Sequence, residues 1–424
     1  MILSIKNLQI IYNYLEVFME NLKILEQLNQ KYETYNKSTL PLCAAENVMS
    51  DFSKLPLSSS MQERYIMGGI LDLQKEDNFM ESTLLYEYYQ LLSKLGKELY
   101  GANYTDGRTL TGMNALTTLL MSAFKVGDKV LISSNDVGGH GSIPIICNRL
   151  GLKYEYLPYN YEEFDFDYRK INQIIKSEQI AGIIIGLSDV LYPPKIQQLE
   201  LQDTILIYDA TQTLGLIAFD PKQNPLLSMP ADNKIILLGA THKTIPGPSC
   251  GLIMAKNISF AQEIDRKINP DYIRNIQMHQ ILSLIYTLIE FQVHGKEYMK
   301  QMIKNTETLT TMLEPNFNIL KKGNCYSQTH QIHFHIEDED LDTFYKNATF
   351  HSVTLNKRNK KIYKNSGIRI GTQEITRYGY GENELSQIAN VLNLLKIKQN
   401  PNADKEINII LQKLVHNKKI HYCF

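Results

Sequence analysis

The stretch Leu237-Leu-Gly-Ala-Thr-His-Lys-Thr-Ile-Pro-Gly-Pro-Ser-Cys-Gly251 continues an apolar run and ends in a rigid Pro/Gly turn. It sets one lysine, Lys243, between a strand and that turn. A strand end holds an amine in place, and partial burial lowers its pKa by disfavouring the ammonium form, so that it can attack a carbonyl. Upstream, Thr204-Ile-Leu-Ile-Tyr-Asp209 ends a second apolar run on a carboxylate. Further short runs rich in Val, Ile and Leu cover 129–134, 153–159, 180–188 and 251–255, with helical or loop segments between several of them. This alternation predicts an α/β fold with a mostly parallel sheet covered on both faces. Ligands of such sheets sit beyond the carboxyl ends of the strands, where Ser188, Asp209 and Lys243 would gather.

A lysine for a Schiff base and an acid for a pyridinium nitrogen are the two protein groups that pyridoxal phosphate most needs. The chain therefore reads as a pyridoxal phosphate enzyme. Thr111-Gly112-Met113 opens an apolar helix running to Phe124, and a helix N-terminus is a natural phosphate site. An ordinary N-cap explains Thr111 equally well.

Around this centre, helices are expected at 19–34, 81–100, 281–293, 385–395 and 407–415, with a further segment at 301–312. Residues 101–111 read as a polar loop and 331–335 as a strand. The expected organisation is an N-terminal helical arm over residues 1–55, a large domain over 56–295 and a smaller α+β domain over 296–424. At 424 residues the chain is long enough for two such lobes. The N-terminal segment, interrupted by Lys6, Asn7, Asn13 and Glu16, is expected to form an amphipathic helix packed on the body or on a second subunit. It is not expected to be a targeting or membrane segment, and Met19 is an alternative start.

With 44 basic and 45 acidic residues the net charge is −1, which gives no electrostatic case for nucleic acid or an anionic membrane as partner. The cluster Lys357-Arg-Asn-Lys-Lys361 reads as a solvated loop. Five scattered cysteines without a CxxC pair argue against a disulfide framework or a zinc site and suit the reducing cytoplasm. No metal site is expected.

The motifs taken together resemble the serine hydroxymethyltransferase family of fold-type I pyridoxal phosphate enzymes, and within it most resemble the folate-independent threonine transaldolases. Those motifs are Cys43-Ala-Ala-Glu-Asn47, Gly138-Gly-His140, Asp209 with Gly215-Leu-Ile-Ala218, Thr241-His-Lys-Thr-Ile-Pro-Gly-Pro248, Thr329-His-Gln-Ile-His-Phe334 and Ser366-Gly-Ile-Arg-Ile-Gly-Thr372. The resemblance implies a seven-stranded sheet in the large domain and a homodimer with shared active sites. Lys243 would carry the cofactor and shuttle protons, and Asp209 would keep the ring nitrogen protonated. Thr111, Gly112 and Met113 would hold the phosphate, Ser188 and Gln212 would meet the phenolic oxygen, and Thr241 and His242 would complete the surroundings. Arg369 would clamp the substrate α-carboxylate with a planar fork that lysine cannot copy. Tyr65 would act in catalysis and substrate binding from the neighbouring subunit, and Asn275 would lend contacts to the partner's phosphate.

Three positions depart from the folate enzymes. Met67 stands where they carry a proton-handling glutamate, Val137 where a histidine stacks on the ring, and Pro246 where they have a basic residue. His140 remains as a nearby acid or base. The segment Val353-Thr-Leu-Asn356-Lys357 points the other way, since it resembles one that touches the pteridine. The expected activity is aldol and retro-aldol chemistry on β-hydroxy-α-amino acids through a glycine quinonoid, with amino acid and aldehyde substrates. The alternatives are a folate-dependent hydroxymethyltransferase, a racemase or aminotransferase on the same scaffold, or a cofactor-binding protein without catalysis.

Overall fold

The computed structural model describes residues 5–67, 70, 81–397, 400–416 and 418–424, and the side chains of 5–17, 81–83 and 85 are outside the description. The first four residues of the expected N-terminal helix lie outside it as well. Seven strands form the main sheet: β1 (Tyr104–Thr109), β2 (Lys129–Ile132), β3 (Lys153–Tyr156), β4 (Gly182–Gly186), β5 (Ile205–Asp209), β6 (Ile235–Ala240) and β7 (Gly251–Ala255). Their order is β1-β7-β6-β5-β4-β2-β3. From β3 to β6 all neighbours are parallel, and only β7 runs against the rest. The central strands β4, β5 and β6 are almost continuously apolar, as burial on both faces requires.

Strand β1 corrects the sequence reading, which took 101–111 as a loop. Its residues Tyr-Thr-Asp-Gly-Arg-Thr are polar, yet all six are buried. The polarity is satisfied internally. Arg108 Nη2 bonds Asp106 Oδ2 at 2.8 Å and Asp265 Oδ1 at 2.5 Å, and the Tyr104 hydroxyl donates to Asp265 Oδ1 at 3.0 Å. The helix Glu81–Tyr100 lies so close on this strand that a Cβ on Gly96 would fall 2.0 Å from Thr105 Oγ1. Arg108→Met leaves two buried carboxylates without their cation. It is expected to destabilise the protein by about 3–5 kcal/mol. Urea unfolding checks this, and an unshifted midpoint would show that the triad contributes nothing.

A second, four-stranded antiparallel sheet comprises Asn318–Ile319, Gln331–His335, Gly367–Gly371 and Asn356–Arg358 in spatial order. The helices expected at 281–293 and 301–312 are one unbroken helix, Met278–Leu313, which passes through residues 295 and 296. Gly295 in its middle is required by packing, because a Cβ there would lie 2.8 Å from the Phe219 ring. Residues from Ile281 to Met302 of this helix join the hydrophobic cluster around the main sheet. Leu309 and Leu313 join the second cluster, with Ile332, Phe334, Ile368 and Ile370. Leu40 and Leu42, from the expected N-terminal arm, pack in that second cluster too.

Residues 18–38 of the N-terminal helix Ile5–Ser38 are all exposed, including Phe18, Leu22, Leu25 and Leu28, and the helix meets the body near its end, where Lys418 Nζ donates to the Asn36 carbonyl at 2.9 Å. Among the described residues, no helix is long and apolar enough to cross a membrane.

Candidate active site

The register of the parallel strands sets Gly186, Asp209 and Leu238 side by side near the carboxyl ends of β4, β5 and β6. Beyond these ends lies a cleft lined by Thr111, Gly112, Met113, His140, Ser188, Asp209, Gln212, His242 and Lys243, together with Thr211, Ala240, Gly186 and Leu187. Nine residues singled out by sequence therefore share one wall-to-wall space. A Cβ on Gly186 would press on Ile143 Cδ1 at 3.1 Å and touch Asp209 only at ordinary van der Waals distance. Asp209 Oδ1 accepts from the Thr211 amide at 2.9 Å, which fixes the carboxylate at the strand end.

Lys243 projects from a loop that closes on itself. The Thr241 hydroxyl donates to the Pro248 carbonyl at 2.6 Å, and the Gly247 amide donates to the Thr241 carbonyl at 2.8 Å. Thr241 is fully buried and its hydroxyl shapes this loop. The Asn47 amide, which the sequence left without a role, donates to the Lys243 carbonyl and to the Tyr298 hydroxyl. Burial lowers the Lys243 pKa to about 8, with Arg369 adding to the effect and Asp209 opposing it. With its oxygen turned to the lysine, Gln212 accepts from Nζ at 2.9 Å. Burial, and then the Lys243 charge, lowers His242 to about 4, so its ring is neutral.

The helix Gly112–Ala123 points its N-terminus into the cleft. Thr111 caps it, accepting from the Asn114 amide at 3.0 Å. Gly112 is required here, because a Cβ would press on Ala240 Cβ at 3.0 Å. On the opposite side, Gly138 adopts φ 94°, and a Cβ there would lie 2.4 Å from the Asp189 carbonyl. The close approach lets the Ser188 amide donate to the Gly138 carbonyl at 2.8 Å and aligns His140 with the cleft. The His140 pKa is lowered, chiefly by burial and then by Lys243 and Lys360 against the pull of Asp209.

Three expected residues stand elsewhere. Val137 is buried in the turn before the glycine pair, outside the residues that line the cleft. Asn275, at φ 50°, lines a separate concavity with Arg108, Leu110, Asn114, Tyr272, Arg274 and Gln277, on the flank of the same helix N-terminus. Tyr65 is 42% exposed and is not part of the cleft in a single chain.

Arg369, on the second sheet, reaches across to the first. Its Nη1 donates to the Ser188 carbonyl at 2.5 Å and pairs with Asp189 at 3.2 Å, while Nε and Nη2 both bond Asn356 Oδ1, at 3.1 and 2.8 Å. Asp189 was not foreseen, and neither was the fate of the cationic run, which the sequence assigned to solvent. Arg358 Nε meets Asp189 Oδ1 at 2.8 Å and Lys360 Nζ meets Oδ2 at 2.7 Å, with the Tyr363 hydroxyl at 3.0 Å. A fully buried carboxylate explains the reversal. Its desolvation cost is offset only by nearby cations, which hold its pKa well below the usual range. Gln331 is a further unforeseen residue; its Nε2 donates to the Ser188 carbonyl at 3.1 Å and lies 2.9 Å from Gln212.

These features fit pyridoxal phosphate. A buried amine with a lowered pKa, a carboxylate held at a neighbouring strand end and an uncovered helix N-terminus face one space.

Comparison with known proteins gives three findings. The family model described as serine hydroxymethyltransferase matches residues 19–392. Curated relatives named serine hydroxymethyltransferase include one from Picrophilus torridus, 28% identical over 96% of this chain and 95% of its own length. Another, from Methanocella arvoryzae, is 28% identical over 92% of this chain and 93% of its own. Among solved structures, L-threonine transaldolase from Pseudomonas fluorescens, in its internal aldimine state, superposes with a TM-score of 0.88 at 22% identity, covering 97% of this chain and 96% of that one.

Proposed function

Because the chain belongs to the serine hydroxymethyltransferase family, and with it to the pyridoxal phosphate enzymes, we propose that it makes and breaks the Cα–Cβ bond of β-hydroxy-α-amino acids without folate, as a threonine transaldolase or aldolase. The observation that carries this reading is the meeting of Lys243, Asp209 and His140 in one cleft, with Arg369 bonded to its Ser188 wall. When bound, the cofactor withdraws electrons from the amino acid's Cα. Lys243 would hold its aldehyde carbon, Asp209 its ring nitrogen, and the amides at Thr111–Met113 its phosphate.

The chain's own residues supply the rest. Arg369 orients the substrate carboxylate. His140, kept neutral by burial, takes the proton of the β-hydroxyl as the aldehyde leaves. Lys243, with its pKa near 8, returns a proton to Cα at neutral pH. The exposed apolar side chains of the N-terminal helix support a homodimer, with Tyr65 and Asn275 serving the partner's cleft.

Folate use is disfavoured on two grounds. Met67 offers no acid where the folate enzymes have one, and the Asn356 oxygen is occupied by Arg369. Incubation with L-threonine is expected to release acetaldehyde and glycine at a rate unchanged by tetrahydrofolate. Activity confined to serine plus tetrahydrofolate would favour the hydroxymethyltransferase instead. Keto acid release, or α-proton exchange without aldehyde, would favour an aminotransferase or racemase.

A further inference from the structure

Behind the cleft wall the charges do not balance. Arg358, Lys360 and Arg369 surround Asp189, so three cations face a single carboxylate. All three meet at Asp189, which follows Ser188 of the cleft wall. Lys360 Nζ donates to the Gly139 carbonyl at 3.1 Å, next to His140, and Arg369 donates to the carbonyl of Ser188. Arg358 Nε and Arg369 Nη1 share Asp189 Oδ1, at 2.8 and 3.2 Å, so the two guanidiniums stand side by side. The α-carboxylate of an amino acid would neutralise one surplus charge. One cation remains.

Arg358 is the residue suited to use it. Its only hydrogen bond among the described residues is through Nε, which leaves both terminal nitrogens of the guanidinium open for a bidentate partner. Its side chain is 23% accessible, against 11% for Lys360 and 3% for Arg369. Lys360 bonds Asp189 and Gly139, and Arg369, which bonds Asn356, Ser188 and Asp189, is the residue assigned to the α-carboxylate. Asp189 holds the three cations in register.

We propose that Arg358 forms a second anion subsite, which selects β-hydroxy-α-amino acids whose side chain, and hence whose aldehyde, carries a carboxylate. The proposal rests on the retro-aldol reading above and names its substrate class. L-threonine is then a substrate without the group that Arg358 recognises. The guanidinium fork matches a planar carboxylate, and a charge-assisted pair in a desolvated setting is worth about tenfold or more in affinity.

Calorimetric titration of the holoenzyme with β-hydroxyaspartate and with L-threonine tests this. β-Hydroxyaspartate is expected to bind about tenfold more tightly, and Arg358→Gln should bring the ratio of the two affinities close to one. Arg358→Lys, which keeps the charge but not the fork, should retain part of the preference. Equal affinities in the unaltered protein, or an unchanged ratio in Arg358→Gln, would overturn the subsite. An unchanged ratio with both affinities reduced would mean that Arg358 serves the α-carboxylate. The aldol reading fails separately: tight binding with the expected ratio, but no glyoxylate or glycine released, would keep the subsite and remove the reaction.

Discussion

Lys243→Ala is expected to abolish turnover, with a loss of about a thousandfold or more, while the protein stays folded. The amine is buried and its charged form is disfavoured there, so its removal relieves a desolvation cost instead of breaking an ion pair. Its depressed pKa shows what the position contributes. At pH 7 roughly a tenth of such an amine is free to attack a carbonyl, against fewer than about one in a thousand for an ordinary lysine. The variant should bind the cofactor without the visible absorption of the lysine-linked form, and borohydride should no longer fix the cofactor to the chain. A protein that stays yellow and can still be labelled at another lysine would remove Lys243 from the centre of the chemistry.

Arg369→Ala is expected to weaken amino acid binding by about a hundredfold, the equivalent of one bidentate charge-assisted contact. The fold should survive, because Asp189 keeps Arg358, Lys360 and Tyr363 as partners. The loss should appear in the concentration of threonine needed to perturb the cofactor spectrum, and Arg369→Lys should recover little of it, since an ammonium cannot reproduce the fork that bonds Asn356 and Ser188 together. An unchanged spectral titration would mean that Arg369 is a structural tie between the two sheets.

The sheet was legible where burial on both faces forces continuous apolar runs, as in β4 to β7. It was illegible at β1, because Asp106 and Arg108 bury their charges against each other and against Asp265, a partner supplied by a distant helix. The helix at 278–313 was likewise read as two segments, and the glycine between them, Gly295, is explained only by the Phe219 ring that packs on it. In the cleft, residues that announce themselves by type and local context were placed correctly together, among them Lys243, Asp209, His140 and the helix start at Thr111. Those whose role depends on a partner far along the chain were not. Nothing near Ser188 signals that Asp189 will be wholly buried, and a run of alternating basic residues looks the same whether it faces water or a carboxylate.

The helix Met278–Leu313 is a girder common to two hydrophobic clusters, with its first turns sunk in one and its last in the other. Neither half can slacken without stripping the buried stripe of the other, so packing defects in one are felt in both. The guanidinium of Arg369 and the amine of Lys243 ride on opposite halves of this frame, and their separation is fixed by the stiffness of ten helical turns instead of by the slack of a connecting loop.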